Sequence, residues 1–321
     1  MDKLWDNYRI VKSELESVVE FMNKNSKCKD KKIEKAIRDL IYSSGKMLRP
    51  AFVIISSHFG DHDLKRTVPL ASVIEFFHMA TLVHDDIIDD SKLRRGKESV
   101  QSKYGKDYAV YIGDYIFCLC FKILASMTSL KNIEINSNSM SKICIGEIDQ
   151  FNSKFESSIS VKNYLNRISG KTAELFSLAL YIGAAESGCS DALCRQFWRI
   201  GHNIGMSFQI IDDILDYTGD ETSLRKSPSS DISQGIFTIP FIYAAMEDKN
   251  SFKPYLSKKY FSDEDVRNLI YIVKQHNGIE RSIELASKYT RKALGMIDKL
   301  PENNYKHIFK DITEHLLKRY Y

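Results

Sequence analysis

The chain has 321 residues, enough for one large domain or two modest ones, and its 43% hydrophobic and 27% charged residues exclude a disordered or membrane-embedded composition. A formal charge of +4 over this length is too small an excess to predict a nucleic-acid partner. With 15 glycines and 6 prolines, the chain is expected to sustain many long helices, whereas a turn-rich sheet protein would spend more of both. Cys28, Cys118, Cys120, Cys144, Cys189 and Cys194 form no CxxC pair and several sit in apolar runs, which fits a reducing compartment and predicts cytoplasmic placement. The opening MDKLWDNYRIVKSELE shows no apolar signal segment.

Taken in order, Leu4, Tyr8, Val11, Leu15, Val18, Val19 and Met22 recur at helical spacing, and residues 33–42 resume that pattern after a polar segment. Gly45 breaks it, and Pro50 suits the first turn of the next helix, where no N–H donor is needed. Further helices are expected over residues 51–59, 69–89, 107–127, 133–150, 160–184 and 191–217. The apolar stretches 69–83 and 109–127 contain Glu75, His78, Asp114 and Lys122, so neither is expected to span a membrane, and association is peripheral at most. Residues 218–238 form a long polar stretch with Gly219, Pro228 and Gly235, a loop whose length points to function. Helices return beyond Pro240, and the LIYIV run within 263–273 fits one helical face through Val266, Leu269, Ile270 and Val273. The fold class is all-α, one helical domain packed around a central cavity.

Two near-identical motifs stand out: Asp85-Asp86-Ile87-Ile88-Asp89 and Asp212-Asp213-Ile214-Leu215-Asp216. At about 100° per residue, all three carboxylates of each motif share one helix face. Like charges four apart disfavour a helix by roughly 0.2–0.5 kcal/mol, a cost that cations bridging to phosphate oxygens would remove. All-oxygen ligands suit Mg2+, which commonly shares substrate phosphates. Alone, either cluster fits a solvated helix end equally well; the pair does not. Cationic groups lie nearby in sequence: Arg94 and Arg95 after the first motif, and Lys46 and Arg49 in the Gly45–Pro50 segment, three apart and able to converge if that segment is helical. His78 lies seven residues before Asp85, on nearly the same face. Lys171 and Thr172 open a helical run, Gln209 shares a face with Asp212, and Lys226 lies in the long loop as a lid residue.

SSGKMLRP, EFFHMATLVHDDIIDDSKLRRG, YIGDYIF, GEIDQF, SGKTAELF and GMSFQIIDDILDYTGD, continuing to TIP, follow one another over almost the whole chain. In that order they resemble the trans-polyprenyl diphosphate synthases of the isoprenoid synthase fold. The resemblance implies a Mg2+-dependent polyprenyl synthetase domain over 1–321, with its core at 30–320 and residues 218–238 as an active-site loop. It implies Mg2+ ligands at Asp85, Asp86, Asp89, Asp212, Asp213 and Asp216, with three ions in the substrate complex and Asp85 and Asp89 the firmest of the first set. It gives Lys46, Arg49, His78 and Arg95 to isopentenyl diphosphate, and Arg94, Lys171, Thr172, Gln209 and Lys226 to the allylic diphosphate.

In that family a bulky aromatic five residues before the first aspartate stops growth early. Ala80 stands there, with Thr81 and Phe77 one and two turns below Asp85, which implies a C30–C40 product, C35 preferred, grown from farnesyl diphosphate. There are departures from the family pattern. Ser44 replaces the first of two glycines, Arg225-Lys226-Ser227 replaces a Gly-Lys-Pro, and Ile236 stands where a loop lysine is usual. The last resembles catalytic subunits of two-component heptaprenyl or hexaprenyl synthases, so the expected assembly is a homodimer or a pair with a small regulatory subunit, and the downstream use a menaquinone side chain. Competing readings are a terpene cyclase, which needs no second diphosphate site, a non-catalytic prenyl-binding subunit, and a metal-dependent phosphohydrolase.

Overall fold

The computed structural model describes residues 2–43, 45–156, 160–218 and 231–317. A 3-10 turn over Lys3–Asn7 leads into α1 (Arg9–Asn25), α2 (Lys31–Tyr42), α3 (Leu48–Ser57) and α4 (Leu64–Ile88). A two-stranded hairpin of β1 (Leu93–Arg94) and β2 (Lys97–Glu98) precedes α5 (Val100–Tyr104) and α6 (Lys106–Met127). Next come α7 (Leu130–Asn152), α8 (Val161–Ile168), a π turn over Ser169–Ala173, α9 (Glu174–Glu186) and α10 (Asp191–Thr218). The chain closes with α11 (Ile239–Glu247), α12 (Lys249–Leu256), α13 (Asp263–Gln275), α14 (Gly278–Ile297) and α15 (Asn304–Leu317). The expected all-α helical bundle is what the chain forms, and among the described residues the hairpin is its sole sheet.

The chain divides into two compact units. The first takes Met1–Asn136, Leu178–Phe197 and Asn303–Ile308; the second takes Ser137–Ser177, Trp198–Glu302 and Phe309–Tyr321. In the first unit α4 is the core helix. Its buried residues run almost without interruption from Thr67 to Ala80, as expected of a helix apolar all round. The Asp63 side chain caps it by accepting from the Lys65 N–H, which starts the helix five residues earlier than the apolar pattern suggested. In the second unit α10 lies backbone-close to the start of α9. A Cβ on Gly201 would meet the Phe176 carbonyl oxygen at 2.5 Å, and one on Gly205 the Ala173 Cα at 2.5 Å, so only glycine admits this approach. The LIYIV run is helical, as expected, and Ser262 and Asp265 close a reciprocal cap at the start of α13.

Two expectations need correction. The α4 and α6 helices are in fact long and apolar enough to cross a membrane by length and composition, since one or two charges do not break a window of 18 residues. The apolar window of α4 is nevertheless 78% buried within the protein, the mark of a core helix, whereas that of α6 is 39% buried. Lys171 and Thr172, expected to open a helical run, lie inside one. Residues 161–186 run continuously through the π turn, where the Glu174 N–H reaches back to the Ser169 carbonyl.

Candidate active site

In the first unit, α4 ends on its own negative pole. Asp85 and Asp86 lie in the last turn, Asp89 is the C-cap with its N–H bonded to the Asp85 carbonyl at 2.9 Å, and no basic residue shares that turn. Carboxylates at a helix C-terminus add to the unfavourable end of the dipole and call for cations. Arg94 supplies one. Its Nε donates to both Asp86 oxygens at 2.9 and 2.8 Å, and its Nη2 lies 2.7 Å from Oδ1. Asp86 is only 3% exposed, so this fork satisfies a buried charge. Asp85 and Asp89 are half-buried.

The hairpin carrying Arg94 turns on Arg95 and Gly96, with φ of 52° and 76°, the pair of left-handed residues a two-residue primed turn requires. An arginine held there bears backbone strain, and its side chain is used: Nη1 donates to the Ser43 carbonyl at 2.9 Å. Gly45 makes room for it, because a Cβ at that position would meet the Arg95 guanidinium at 2.6 Å. Arg49 Nη1 lies 3.3 Å from His78 Nε2. Arginine can only donate, so His78 Nε2 accepts and its proton sits on Nδ1. Burial, then Arg49, Arg95 and Arg94, hold the His78 proton affinity well below the ordinary histidine range, and the ring is neutral. Glu75, His78, Asp86, Arg94, Arg95 and Lys103 line a cavity of about 380 Å3.

Lys46 and Arg49 do not share a helix face. Met47 between them takes φ 52° as the N-cap of α3, so Lys46 lies outside the helix. What fixes it is Trp5, fully buried, whose indole Nε1 donates to the Lys46 carbonyl at 2.7 Å. Glu75, buried beside the arginines, opposes the effect of burial on Arg95, which by itself lowers the guanidinium's proton affinity. Sequence reasoning assigned no role to either Trp5 or Glu75.

The second motif closes α10 in the second unit. Asp213, 3% exposed, accepts from Tyr164 Oη at 2.6 Å and from Gln209 Nε2 at 2.8 Å. Thr172 Oγ1 donates to Gln209 Oε1 at 2.6 Å, so Thr172, Gln209 and Asp213 form one chain of hydrogen bonds. Lys171 pairs with Glu147 at 2.6 Å. Burial, and next the charge of Asp231, raise the Asp213 carboxyl well above its usual range, while Tyr164 and Gln209 oppose them. The same two causes, with Asp212, push Asp216 up to about 7. Asp231 is a fourth carboxylate at this motif, hidden from sequence reasoning because it stands alone fifteen residues downstream of Asp216. Ile236 is 2% exposed and its N–H bonds the Asp231 carbonyl at 2.8 Å. Lys226 lies outside the described residues.

Of the chain-length residues, Ala80 is fully buried, Phe77 packs against Phe117 of α6 with ring centroids 5.4 Å apart, and the Thr81 hydroxyl is turned onto the His78 carbonyl at 2.8 Å. Both motifs offer oxygen donors alone, and the crowding that raises Asp213 and Asp216 is relieved by a hard divalent cation, so the residues fit Mg2+. A cluster of another type, Glu14, His58 and His62, also has the spacing of a divalent cation site.

Residues 30–273 match the family model described as polyprenyl synthetase. Heptaprenyl diphosphate synthase component 2 of Geobacillus stearothermophilus is 33% identical over 319 residues, 99% of this chain and 100% of that one. Among solved structures, a geranylgeranyl pyrophosphate synthase from Lactobacillus brevis superposes with a TM-score of 0.93 at 32% identity, covering 99% of each chain. A heptaprenyl diphosphate synthase from Staphylococcus aureus does so at 0.92 and 35% identity, covering 96% of this chain and 98% of that one. The helical bundle is that of the isoprenoid synthases.

Proposed function

The chain belongs to the polyprenyl synthetase family and is a trans-prenyltransferase condensing isoprenoid diphosphates, and on that premise we propose that it extends farnesyl diphosphate with successive isopentenyl diphosphates to an all-trans C30–C40 product, C35 preferred. The observation that carries this reading is the cavity of the first unit. Arg94 and Arg95 line it with a neutral His78 backed by Arg49, so a diphosphate finds fixed guanidinium donors beside a carboxylate motif.

Lys46, Arg49, His78 and Arg95 hold isopentenyl diphosphate; Arg94, Lys171, Thr172, Gln209 and Lys226 hold the allylic diphosphate. Asp85, Asp86 and Asp89, and separately Asp212, Asp213 and Asp216, are the Mg2+ ligands, with three ions in the substrate complex. When bound, Mg2+ neutralises the charge that develops on the departing diphosphate. The allylic C–O bond breaks, C1 of the allyl group bonds to the isopentenyl double bond, and the proton lost from the new chain leaves with the diphosphate. The cationic side chains hold both diphosphates in place while residues 218–238 exclude water.

Ala80 supports the longer product by putting no bulk below Asp85, and two of the similar proteins are named for heptaprenyl products. A geranylgeranyl enzyme is equally similar, so length rests on the residues beneath the motif. The protein acts in the cytoplasm as a homodimer or with a small regulatory subunit. Exposed Tyr111, Phe121 and Leu130 support an association surface on α6 and the start of α7, and Ile236 supports a requirement for a second subunit. A menaquinone side chain is the proposed use.

The test is incorporation of labelled isopentenyl diphosphate with farnesyl diphosphate and Mg2+, with products sized by reverse-phase chromatography. A C35 product is expected, alone or after adding cell extract; arrest at C20 overturns the length, and no incorporation under either condition overturns the activity. Ala80→Tyr should shorten the product to C15–C20, and an unchanged length would remove Ala80 from the explanation.

A further inference from the structure

Glu14, His58 and His62 gather one carboxylate and two imidazoles at a place the prenyl transfer does not use. Glu14 lies on the inner face of α1 and is 8% exposed, His58 is the C-cap of α3, and His62 sits in the turn before α4. His58 Nε2 is 2.8 Å from Glu14 Oε1, and His62 Nε2 is 3.3 Å from Glu14 Oε2. The three donor atoms all fall within 4.8 Å of one another. The two imidazoles stack with centroids 3.6 Å apart, and Tyr305 covers the other face of His58 at 3.6 Å.

The hydrogen bonds around His62 fix its tautomer. Ser57 has one hydroxyl proton and donates it to the Ile54 carbonyl at 2.7 Å. The same Oγ lies 2.7 Å from His62 Nδ1, so there the nitrogen is the donor and carries the proton. In a neutral ring Nε2 is then a bare lone pair aimed at Glu14. Glu14 Oε2, which it faces, is buried and has no hydrogen-bond partner. Two electron-rich atoms 3.3 Å apart in a buried place need a cation between them. A proton would serve as that cation, and zinc retention distinguishes it from a metal ion.

We propose that Glu14, His58 and His62 bind one transition-metal ion of the Zn2+ class, which fastens α1 to the α3–α4 turn. Two imidazoles and a carboxylate suit Zn2+, whose bonds of about 2.0–2.2 Å place tetrahedral ligands roughly 3.3–3.5 Å apart, and they do not suit Mg2+. Water takes the fourth position. The surrounding groups orient the ligands: Ser57 holds His62, Tyr305 Oη donates to Glu14 Oε1 at 3.2 Å, and Asn303 Nδ2 donates to the His58 carbonyl at 3.1 Å.

To test this, the full chain is stripped with chelator and titrated with ZnCl2, then CoCl2, in excess MgCl2 so that oxygen-ligand sites hold Mg2+. One equivalent of retained zinc by mass spectrometry, a higher melting temperature and visible Co2+ bands of a nitrogen–oxygen tetrahedral site are expected. All three should be lost in His62→Ala and Glu14→Gln and kept in an Asp85→Asn/Asp212→Asn double variant. Zinc retention equal in wild type and His62→Ala overturns the site, as does an equivalent that only the aspartate double variant loses. Should circular dichroism show His62→Ala unfolded, His58→Gln and Glu14→Gln carry the same comparison, and zinc bound by these as tightly as by wild type overturns the proposal.

Discussion

The two aspartate motifs differ by one residue, Ile88 against Leu215, yet their surroundings are opposite. At the end of α4, Asp86 is matched by a bidentate arginine, and burial, then Arg49, Arg95 and Arg94, lower the His78 proton affinity well below the ordinary histidine range. At the end of α10, Asp213 is met among the described residues by the uncharged Tyr164 and Gln209, while burial and then Asp231 raise its proton affinity and that of Asp216. The first region pairs its buried carboxylate with a guanidinium, and Arg94, Arg95 and Lys103 line the cavity beside it. The second gathers four carboxylates, Asp212, Asp213, Asp216 and Asp231, a crowding that cations relieve. One short motif thus stands in two electrostatic settings, and the neighbours make the difference.

The largest effect that would test this contrast is on turnover. Asp85→Asn and Asp212→Asn are each expected to lower isopentenyl incorporation by about 100-fold or more, measured at saturating Mg2+. Next comes stability. Arg94→Gln leaves Asp86 charged and buried and should cost about 2–3 kcal/mol in urea unfolding, with Asp86→Asn in the same background restoring most of it. Tyr164→Phe removes a neutral donor while Gln209 remains, and should cost about 1 kcal/mol. If the tyrosine change costs as much as the arginine change, the distinction between the regions fails.

The acid-rich end also makes a prediction about pH. Folded Asp216, raised from 3.8 to about 7, keeps a proton that the unfolded chain has already released between those values. Its contribution therefore favours folding at low pH and is lost as pH rises through 7. Melting temperatures of the metal-free chain should fall between pH 5 and pH 8, less steeply in Asp231→Asn, and Mg2+ should oppose the fall because the metal takes the deprotonated form. The smallest effect is at Gly45. An alanine there meets only the movable end of Arg95, so stability should stay within about 0.5 kcal/mol while KM for isopentenyl diphosphate rises several-fold.

Much of this was legible in the sequence because helices write their period into it. The long apolar runs, the helical reading of 263–273 and the shared face of each aspartate triplet follow from a period of about 3.6 residues. Arg94, a cation close in sequence to the first motif, is found on Asp86, and Gln209, read as sharing a face with Asp212, is found on Asp213. What could not be read is long-range. Trp5 meets Lys46 across 41 residues and Tyr164 meets Asp213 across 49, and nothing local marks such pairs. The Arg95–Gly96 turn escaped notice because its strands are two residues long, too short for any alternation. Lys46 and Arg49 could converge on one face only if their segment were helical, and the left-handed Met47 leaves Lys46 outside the helix.

The wide turn at Ser169–Ala173 has a consequence for how this protein tolerates change in length. Such a turn amounts to one surplus residue carried inside an otherwise regular helix. Removing any one of the five would let the ladder close as an ordinary α-helix, with little loss of hydrogen bonding, but would swing everything before it by about 100° relative to everything after. Tyr164 and Arg167 would then leave their partners while Glu174 kept its own. The enzyme would stay helical and lose its alignment, so shortening this helix by a residue is a phase error rather than an unfolding event.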